Sequence, residues 1–507
     1  MNKIFRNSLF SIIRTIVVTP IIFLVIPYTL SKIGTKGYGI WALTGMMANF
    51  RTFVDFGFTT SLIRFVAKEE AAKRVDGINE YVNTALFIFA GLSLVILIIV
   101  LFSAHFIASD IFNITGDLPL VEFLIIITTV SSILNFICGI FKSILDGYQR
   151  MDISNSILSL ESILNAVGTF FFLFIGLGIQ GLAVNLLIMA VVNLFINFFA
   201  AKKIFPLLSI RVKFFSRAKF KELFLYSVNL QLSNLLRFWV EPLNKILISH
   251  FFSLTYVGYY EIALRYVNQI KSLIVSGMSS LFPAAAEFKE KHGFGMVEKL
   301  RNKSLKYIIP LSLLVYSFLI IITPGFMSLW LKIENPLLSA TAQVFLFGHF
   351  VLIITTPPYV ILNSLGYPQK TLYVQVLSLI ANVLGIASGV FFFGFIGFSC
   401  GYTFSLVAGL FLTQLFYKTT FKEANHLYRE YIKINIILYT IVLASAGVIF
   451  NLLHIKPSVW EIIIFGAVFV IVGAVSSLAL RLFDKNDLYT LFGSSKSEKI
   501  LGIFGVK

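Results

Sequence analysis

The chain has 507 residues, of which 58% are hydrophobic and 13% charged, with a mean hydropathy of +0.89. A soluble domain usually carries about 25% charged residues, so this composition excludes an ordinary soluble enzyme and places the chain in the membrane class. The net charge of +17 raises nucleic acid as a partner, but the basic residues collect between apolar runs, as cytoplasmic loops do, so no nucleic acid is expected.

A bilayer core about 30 Å thick needs roughly 20 apolar residues per helical crossing. In chain order, such runs predict spans at 8–30, 39–61, 82–104, 119–141, 155–176 and 180–200. After a basic segment they resume at 223–249, 256–283, 305–330, 340–364, 371–394 and 396–418, and end with 432–452 and 459–481. LFIFAGLSLVILIIVLF (86–102) does not alternate polar with apolar, which rules out a β-barrel strand. The expected fold class is an all-α integral membrane protein of about fourteen transmembrane helices. The first span is too long for a signal-peptide core and no small-residue cleavage site follows it, so it is expected to be retained. Cys138 and Cys400 fall inside spans and form neither a disulfide framework nor a metal spacing, so no metal is expected.

With the N-terminus inside, thirty of the 41 lysines and arginines fall in inward segments, and only Lys32, Lys36, Lys332 and Lys456 in outward ones. The positive-inside rule then puts both termini in the cytoplasm and the protein in the cytoplasmic membrane. The excess also attracts anionic membrane lipids.

The chain repeats itself. KGYGIWAL (36–43) and VGYYEIAL (257–264) open the second and eighth spans at an offset of 221, and LDGYQR (145–150) and LGYPQK (365–370) follow the fourth and tenth at 219 to 220. GIQG (178–181) and GFIG (394–397) sit in the fifth and eleventh hairpins at an offset of 216. Six helices separate each pair, so the repeats run parallel, about an axis along the membrane normal. The predicted organisation is a six-helix lobe at 1–200, a basic linker at 201–222, a pseudo-symmetric six-helix lobe at 223–418, and two further helices with a tail at 419–507. The linker, AKKIFPLLSIRVKFFSRAKFKE, mixes basic and apolar residues as an interfacial helix does.

Charged residues inside spans cost about 2.5 to 3.5 kcal/mol each on insertion scales and mark cavities or ion pairs. The cations are Arg14, Arg51, Arg237, Lys245, Arg265, Lys271 and Lys306; the acids are Asp55, Glu161, Glu241 and Glu261. The excess is three positive charges. Spacing of i,i+4 pairs Arg51 with Asp55, Arg237 with Glu241, Glu241 with Lys245, and Glu261 with Arg265, which would neutralise them structurally. Lys245 and Lys306, near span ends, can also snorkel. Arg14 and Lys271 have no acid at that spacing, and the repeat relates Arg14 to Arg237 and Arg51 to Lys271. Cations brought together in this way would line a central cleft suited to an anion, since guanidinium matches phosphate oxygens bidentately. His349, the histidine deepest in a span, reads as a helix-packing donor. The longest outward loop, HFIASDIFNITGDL (105–118), lacks paired carboxylates beside a large polar segment, and there is no GxxxxGK[ST] phosphate loop, so polymerase or ligase chemistry is poorly provided for.

IGTKGYGIWAL (33–43), FVDFGFTTSLIRFVAKE (53–69), GYQR (147–150) and NLLRFWVEPLNKILISHFFSLTYVGYYEIALRY (234–266) resemble the Wzx-type polysaccharide flippases of the multidrug/oligosaccharidyl-lipid/polysaccharide exporter superfamily. The resemblance implies a secondary transporter that moves undecaprenyl-pyrophosphate-linked oligosaccharide to the outer leaflet by alternating access, for O-antigen, capsule or exopolysaccharide. It implies a cationic cavity, with Arg14, Arg51, Arg237, Arg265 and Lys271 as substrate contacts, and Asp55, Glu161, Glu241 and Glu261 as candidates for ion pairing or for coupling to Na⁺ or H⁺. It further implies a polysaccharide polymerase or chain-length regulator as a partner. Related drug exporters couple through acids in the N-terminal lobe; the first span here has none, leaving Asp55 and Glu161 as substitutes. Alternatives are a cation-coupled multidrug exporter, which calls for an acidic cavity, and a membrane polysaccharide polymerase or ligase, which calls for a large outward loop.

Overall fold

The computed structural model describes residues 3–49, 57–276, 278, 281–421, 437, 439–445, 448 and 458–479, with the side chains of 3–17, 48, 49, 226, 228–238, 276, 281–284, 286, 287, 459, 478 and 479 outside that description. Among the described residues there is no strand, and helical residues lie in each of the fourteen expected spans. Nine described helices are long and apolar enough to cross a membrane.

Two compact units divide the chain, Met1–Ile262 and Ala263–Lys507. The first contains α1 (Lys3–Asn49), α2 (Phe58–Ala71), α3 (Val75–Phe106), α4 (Leu118–Gly147), α5 (Met151–Phe174), α6 (Gly178–Ile204), α7 (Arg217–Phe251) and the start of α8 (Leu254–Ser276). The second contains the rest of α8, α9 (Leu281–His292), α10 (Phe294–Leu331), α11 (Pro336–Ser364), α12 (Pro368–Thr420) and α13 (Val459–Ala479). Two of these are helix pairs joined at a glycine. Gly34 (φ 68°, ψ 174°) interrupts α1 between the first two spans, and Gly394 (φ 56°, ψ −133°) interrupts α12 between the eleventh and twelfth. Both conformations lie where a side chain is strained, so the chain turns at glycine.

The repeat is visible in backbone geometry, though not in the register that the sequence motifs suggest. After α4, Tyr148 N–H donates to Ile144 O, Gln149 N–H to Asp146 O and Arg150 N–H to Leu145 O, at 3.0, 3.0 and 2.9 Å. After α11, Leu365, Gly366 and Tyr367 donate in the same way to Ile361, Asn363 and Leu362, at 3.0, 3.2 and 2.9 Å. The residues with positive φ are Gln149 (57°) and Gly366 (87°). The Ser154 hydroxyl closes the first turn on Asp146 at 2.6 Å, and the Thr371 hydroxyl closes the second on Asn363 at 2.9 Å. The turns are equivalent at a spacing of 217 residues, two less than matching their Gly-Tyr pairs gives, because the left-handed position falls on Gln149 in one copy and on the glycine in the other.

The second repeat element also shifts by two. The later arm of α1 crosses the start of α8 so closely that a Cβ on Gly39 would overlap the Leu254 carbonyl oxygen, and one on Gly258 would overlap that of Thr35. Gly39 meets Leu254 as Gly258 meets Thr35, which is the signature of a local twofold relating 35 to 254 and 39 to 258. Close backbone approach at small residues is how helices associate in lipid, where burial of apolar surface gives no drive. The two arms of α12 use the same device, with Gly385 against Gly401 and Gly389 against Gly397.

The basic linker is not a helix across its length. Residues 205–211 run irregularly, Val212–Phe214 form a single 3₁₀ turn, and α7 starts at Arg217 with the Ser216 hydroxyl as its N-cap. Side chains on α3 hold this segment in place. Asn79 bridges Leu207 O and Ser209 N–H at 3.1 and 2.9 Å, Asn83 bridges Ser209 O and Arg211 N–H at 2.8 and 2.8 Å, and Thr84 accepts from Ser216 N–H at 2.9 Å. These amides act as the partner strand that the linker backbone lacks, and satisfying that backbone locally overrides the helical preference of the sequence.

The glycine crossing generates a stability test. Gly39→Ala and Gly258→Ala each force the helices apart, an overpacking that costs about 1–3 kcal/mol or more. The unfolding midpoint in detergent is expected to fall for both, and to hold for Gly45→Ala, whose Cβ would meet nothing within 4 Å.

Candidate functional site

Four of the intramembrane charges singled out by sequence lie outside the described side chains: Arg14 and Arg237, whose backbones belong to α1 and α7, and Arg51 and Asp55, which fall outside the described residues altogether. The others can be placed. Glu161 is half-buried on α5 and Glu241 half-buried on α7. Arg265 on α8 is exposed, and half-buried Lys271, on the same helix, donates to Asn268 Oδ1 at 2.5 Å. Steps of three and four residues carry Glu261, Arg265, Asn268 and Lys271 down one stripe of α8.

Glu261 is the best-defined of them. Its carboxylate receives the Lys245 ammonium at 2.6 Å, and both side chains are at least 90% buried. One rung away, Asn244 Nδ2 donates to the Tyr260 hydroxyl at 3.1 Å. Two ions taken out of water this far can coexist only when each serves as the other's solvent, so the pair ties α7 to α8. Helical spacing alone pairs Lys245 with Glu241. The structure instead joins Lys245 to Glu261 across the turn at 252–253, and Lys245 is buried rather than snorkelling. The signal was present in the chain: in a tight helical hairpin, residues equally far from the turn face each other, and 245 and 261 are both eight residues from Ser253.

Two further charged clusters fall outside the apolar cores of the predicted spans, where the sequence reading placed its candidates. In the second unit, Arg301 pairs with Glu298, the Tyr417 hydroxyl donates to Glu298 at 3.0 Å, and the Arg301 guanidinium lies 4.5 Å from the Tyr417 ring centre. In the first unit, buried Glu69 pairs with Arg74 at 2.8 Å. His349 is buried, with Nδ1 2.9 Å from Phe345 O one turn back on its own helix, a packing role. No group of three or more metal-ligating side chains occurs among the described residues.

Comparison with known proteins adds the context. A family model described as polysaccharide biosynthesis protein matches residues 4–289. An uncharacterized membrane protein of Methanocaldococcus jannaschii is 28% identical, over 71% of this chain and 72% of its own. Among solved structures, the lipid II flippase MurJ in an inward closed conformation superposes with a TM-score of 0.70 at 13% identity, covering 94% of this chain and 98% of that one. An inward-facing multidrug resistance MATE family transporter of the MOP superfamily gives 0.67 at 17% identity, over 79% and 94%. A mutant of the Vibrio cholerae MATE transporter VcmN gives 0.62 at 13%, over 84% and 98%. At these identities the likeness is one of fold: an all-helical membrane transporter architecture shared by flippases and exporters.

The buried pair makes a measurable demand. Glu261→Gln alone strands the buried Lys245 ammonium and costs about 3–5 kcal/mol, whereas replacing both Lys245 and Glu261 with methionine removes that ion as well. Thermal unfolding in detergent is expected to rank Glu261→Gln well below the parent, with the double variant recovering most of the loss.

Proposed function

The chain belongs to the polysaccharide biosynthesis protein family, and on that premise we propose that it flips an oligosaccharide carried on undecaprenyl pyrophosphate from the inner to the outer leaflet, for O-antigen, capsule or exopolysaccharide assembly. It is a multi-pass membrane protein with a flippase or exporter fold. The reading is of a transporter in the cytoplasmic membrane with both termini inside, not of an enzyme.

One observation carries the choice of cargo: the excess of positive charge within the spans. Pairing Lys245 with Glu261 removes one cation and one acid. Six cations (Arg14, Arg51, Arg237, Arg265, Lys271 and Lys306) then stand against Asp55, Glu161 and Glu241, so the excess of three is untouched. Insertion of each such charge is unfavourable, and a diphosphate cargo supplies the compensation. In this reading Arg14, Arg51, Arg237, Arg265 and Lys271 contact the diphosphate or acidic sugars. The diphosphate passes through a central cleft while the two six-helix lobes, 1–200 and 223–418, rock about each other. Asp55, Glu161 and Glu241 are the acids available for coupling to Na⁺ or H⁺, and a polymerase or chain-length regulator would receive the product. The fold likeness to multidrug MATE transporters supports a second reading, a cation-coupled drug exporter. A cationic cleft would repel the cationic drugs such an exporter carries.

Replacing Arg14, Arg51, Arg237 and Lys271 singly with Ala, in cells that depend on this protein for a surface polymer, separates the readings. Loss of one charged guanidinium or ammonium contact to phosphate costs about 1.5–3 kcal/mol, roughly tenfold or more in transport. Polymer is expected to fall while carrier-linked repeat units accumulate inside. Unchanged polymer in all four, with normal insertion, would contradict the cationic cleft.

A further inference from the structure

The first unit contains a cavity of about 410 Å³, bounded by the later arm of α1 and by α3, α4 and α7. Its size falls toward the lower end of the roughly 300–1,000 Å³ usual for small-ligand sites. Met46, Ile96, Val100, Ile133, Phe136 and Ile246 make its wall almost wholly apolar. Two lining residues, Ile99 on α3 and Trp239 on α7, are 57% and 45% exposed, and beside them Ile98 and Phe102 on α3 are exposed too. This stretch of α3 lies in a predicted span and its exposed side chains are apolar, as a surface that meets hydrocarbon is, so a mouth beside them suits a lipid chain better than water. An apolar cavity of this kind does not hold water, and what reaches it from the membrane is a lipid chain.

A buried hydroxyl narrows the chemistry. Ser103 and Thr129, also on the lining, return their hydroxyls to their own helices at 2.7 Å. Ser93 does not: it lines the cavity, is 4% exposed, and its Oγ has no hydrogen-bond partner among the described residues. A saturated chain offers an O–H group nothing. A carbon–carbon double bond offers π electrons, a weak acceptor but the one a hydrocarbon can supply, and an isoprenoid carries one in every five carbons. Met46 and Met47 supply flexible thioethers that adapt to methyl branches.

We propose that this cavity seats a stretch of the isoprenoid tail of the lipid carrier, with Ser93 directed at its unsaturation. The proposal rests on the flippase reading and refines it: part of the tail travels on the protein, beside the helix that bears Arg237 and Lys245, instead of remaining wholly in lipid. The full chain in nanodiscs would be photolabelled with a diazirine-bearing polyprenyl phosphate, and labelled peptides mapped. Labelling is expected at 89–106 and 124–140. It should drop at least about tenfold in Ser93→Phe and in Ile133→Phe, which fill the space, and two- to threefold in Ser93→Ala, which adds no bulk and removes only the hydroxyl. A saturated phosphatidylglycerol should compete at least two- to threefold less well than unlabelled polyprenyl phosphate. Labelling unaffected by all three substitutions, or displaced equally by saturated lipid, would overturn the proposal. The assay contains no sugar and no transport step, so it can fail while the arginine variants still block polymer export, and it can succeed where they do not.

Discussion

A polar group inside a bilayer has no water to fall back on, and this constraint organises the described structure more than any apolar contact does. Apolar side chains are as content in lipid as in a protein core, so they cannot choose which helix packs against which. The choices are made by groups that must be satisfied. Lys245 and Glu261 bind α7 to α8, and Asn185 on α6 reaches back to Asn165 and Thr169 on α5. Ser61 and Ser227 join α2 to α7 at 2.7 Å. Where no polar pair is available, glycines let backbones touch, as at Gly39 and Gly258.

The same constraint connects architecture to transport. Once Lys245 and Glu261 have neutralised each other, the remaining intramembrane cations outnumber the remaining acids by the same margin as before, and the proposed anionic cargo is what would offset that excess. Asn79, Asn83 and Thr84 on α3 hold the linker right up to Ser216, the N-cap of α7. The helix bearing Arg237 and Lys245 therefore starts from a fixed point on α3.

Spans were legible because length and apolarity are local properties, and helical residues occupy each of them. The repeat was legible too, but off by two residues at both the GYQR turn and the glycine crossing, since letter matches align side chains while the fold aligns positive φ and backbone contact. The linker misled because its spacing of apolar and basic residues is helical, whereas Asn79 and Asn83, more than a hundred residues away in sequence, dictate its path. Spacing of i,i+4 picked the wrong partner for Lys245 because it sees one helix at a time. Glu298 and Arg301 stand at i,i+3, but the part Tyr417 plays in their cluster is invisible from sequence for the same reason: it lies 119 residues from Glu298.

Recognition of the cargo by its charge is tested most directly by purified protein in sealed liposomes loaded with two fluorescent substrates that share a sugar and a tail. One carries pyrophosphate between them and the other a neutral ether link. Protein-dependent appearance of the pyrophosphate form alone on the opposite face is the predicted result. Equal movement of the neutral form would contradict it.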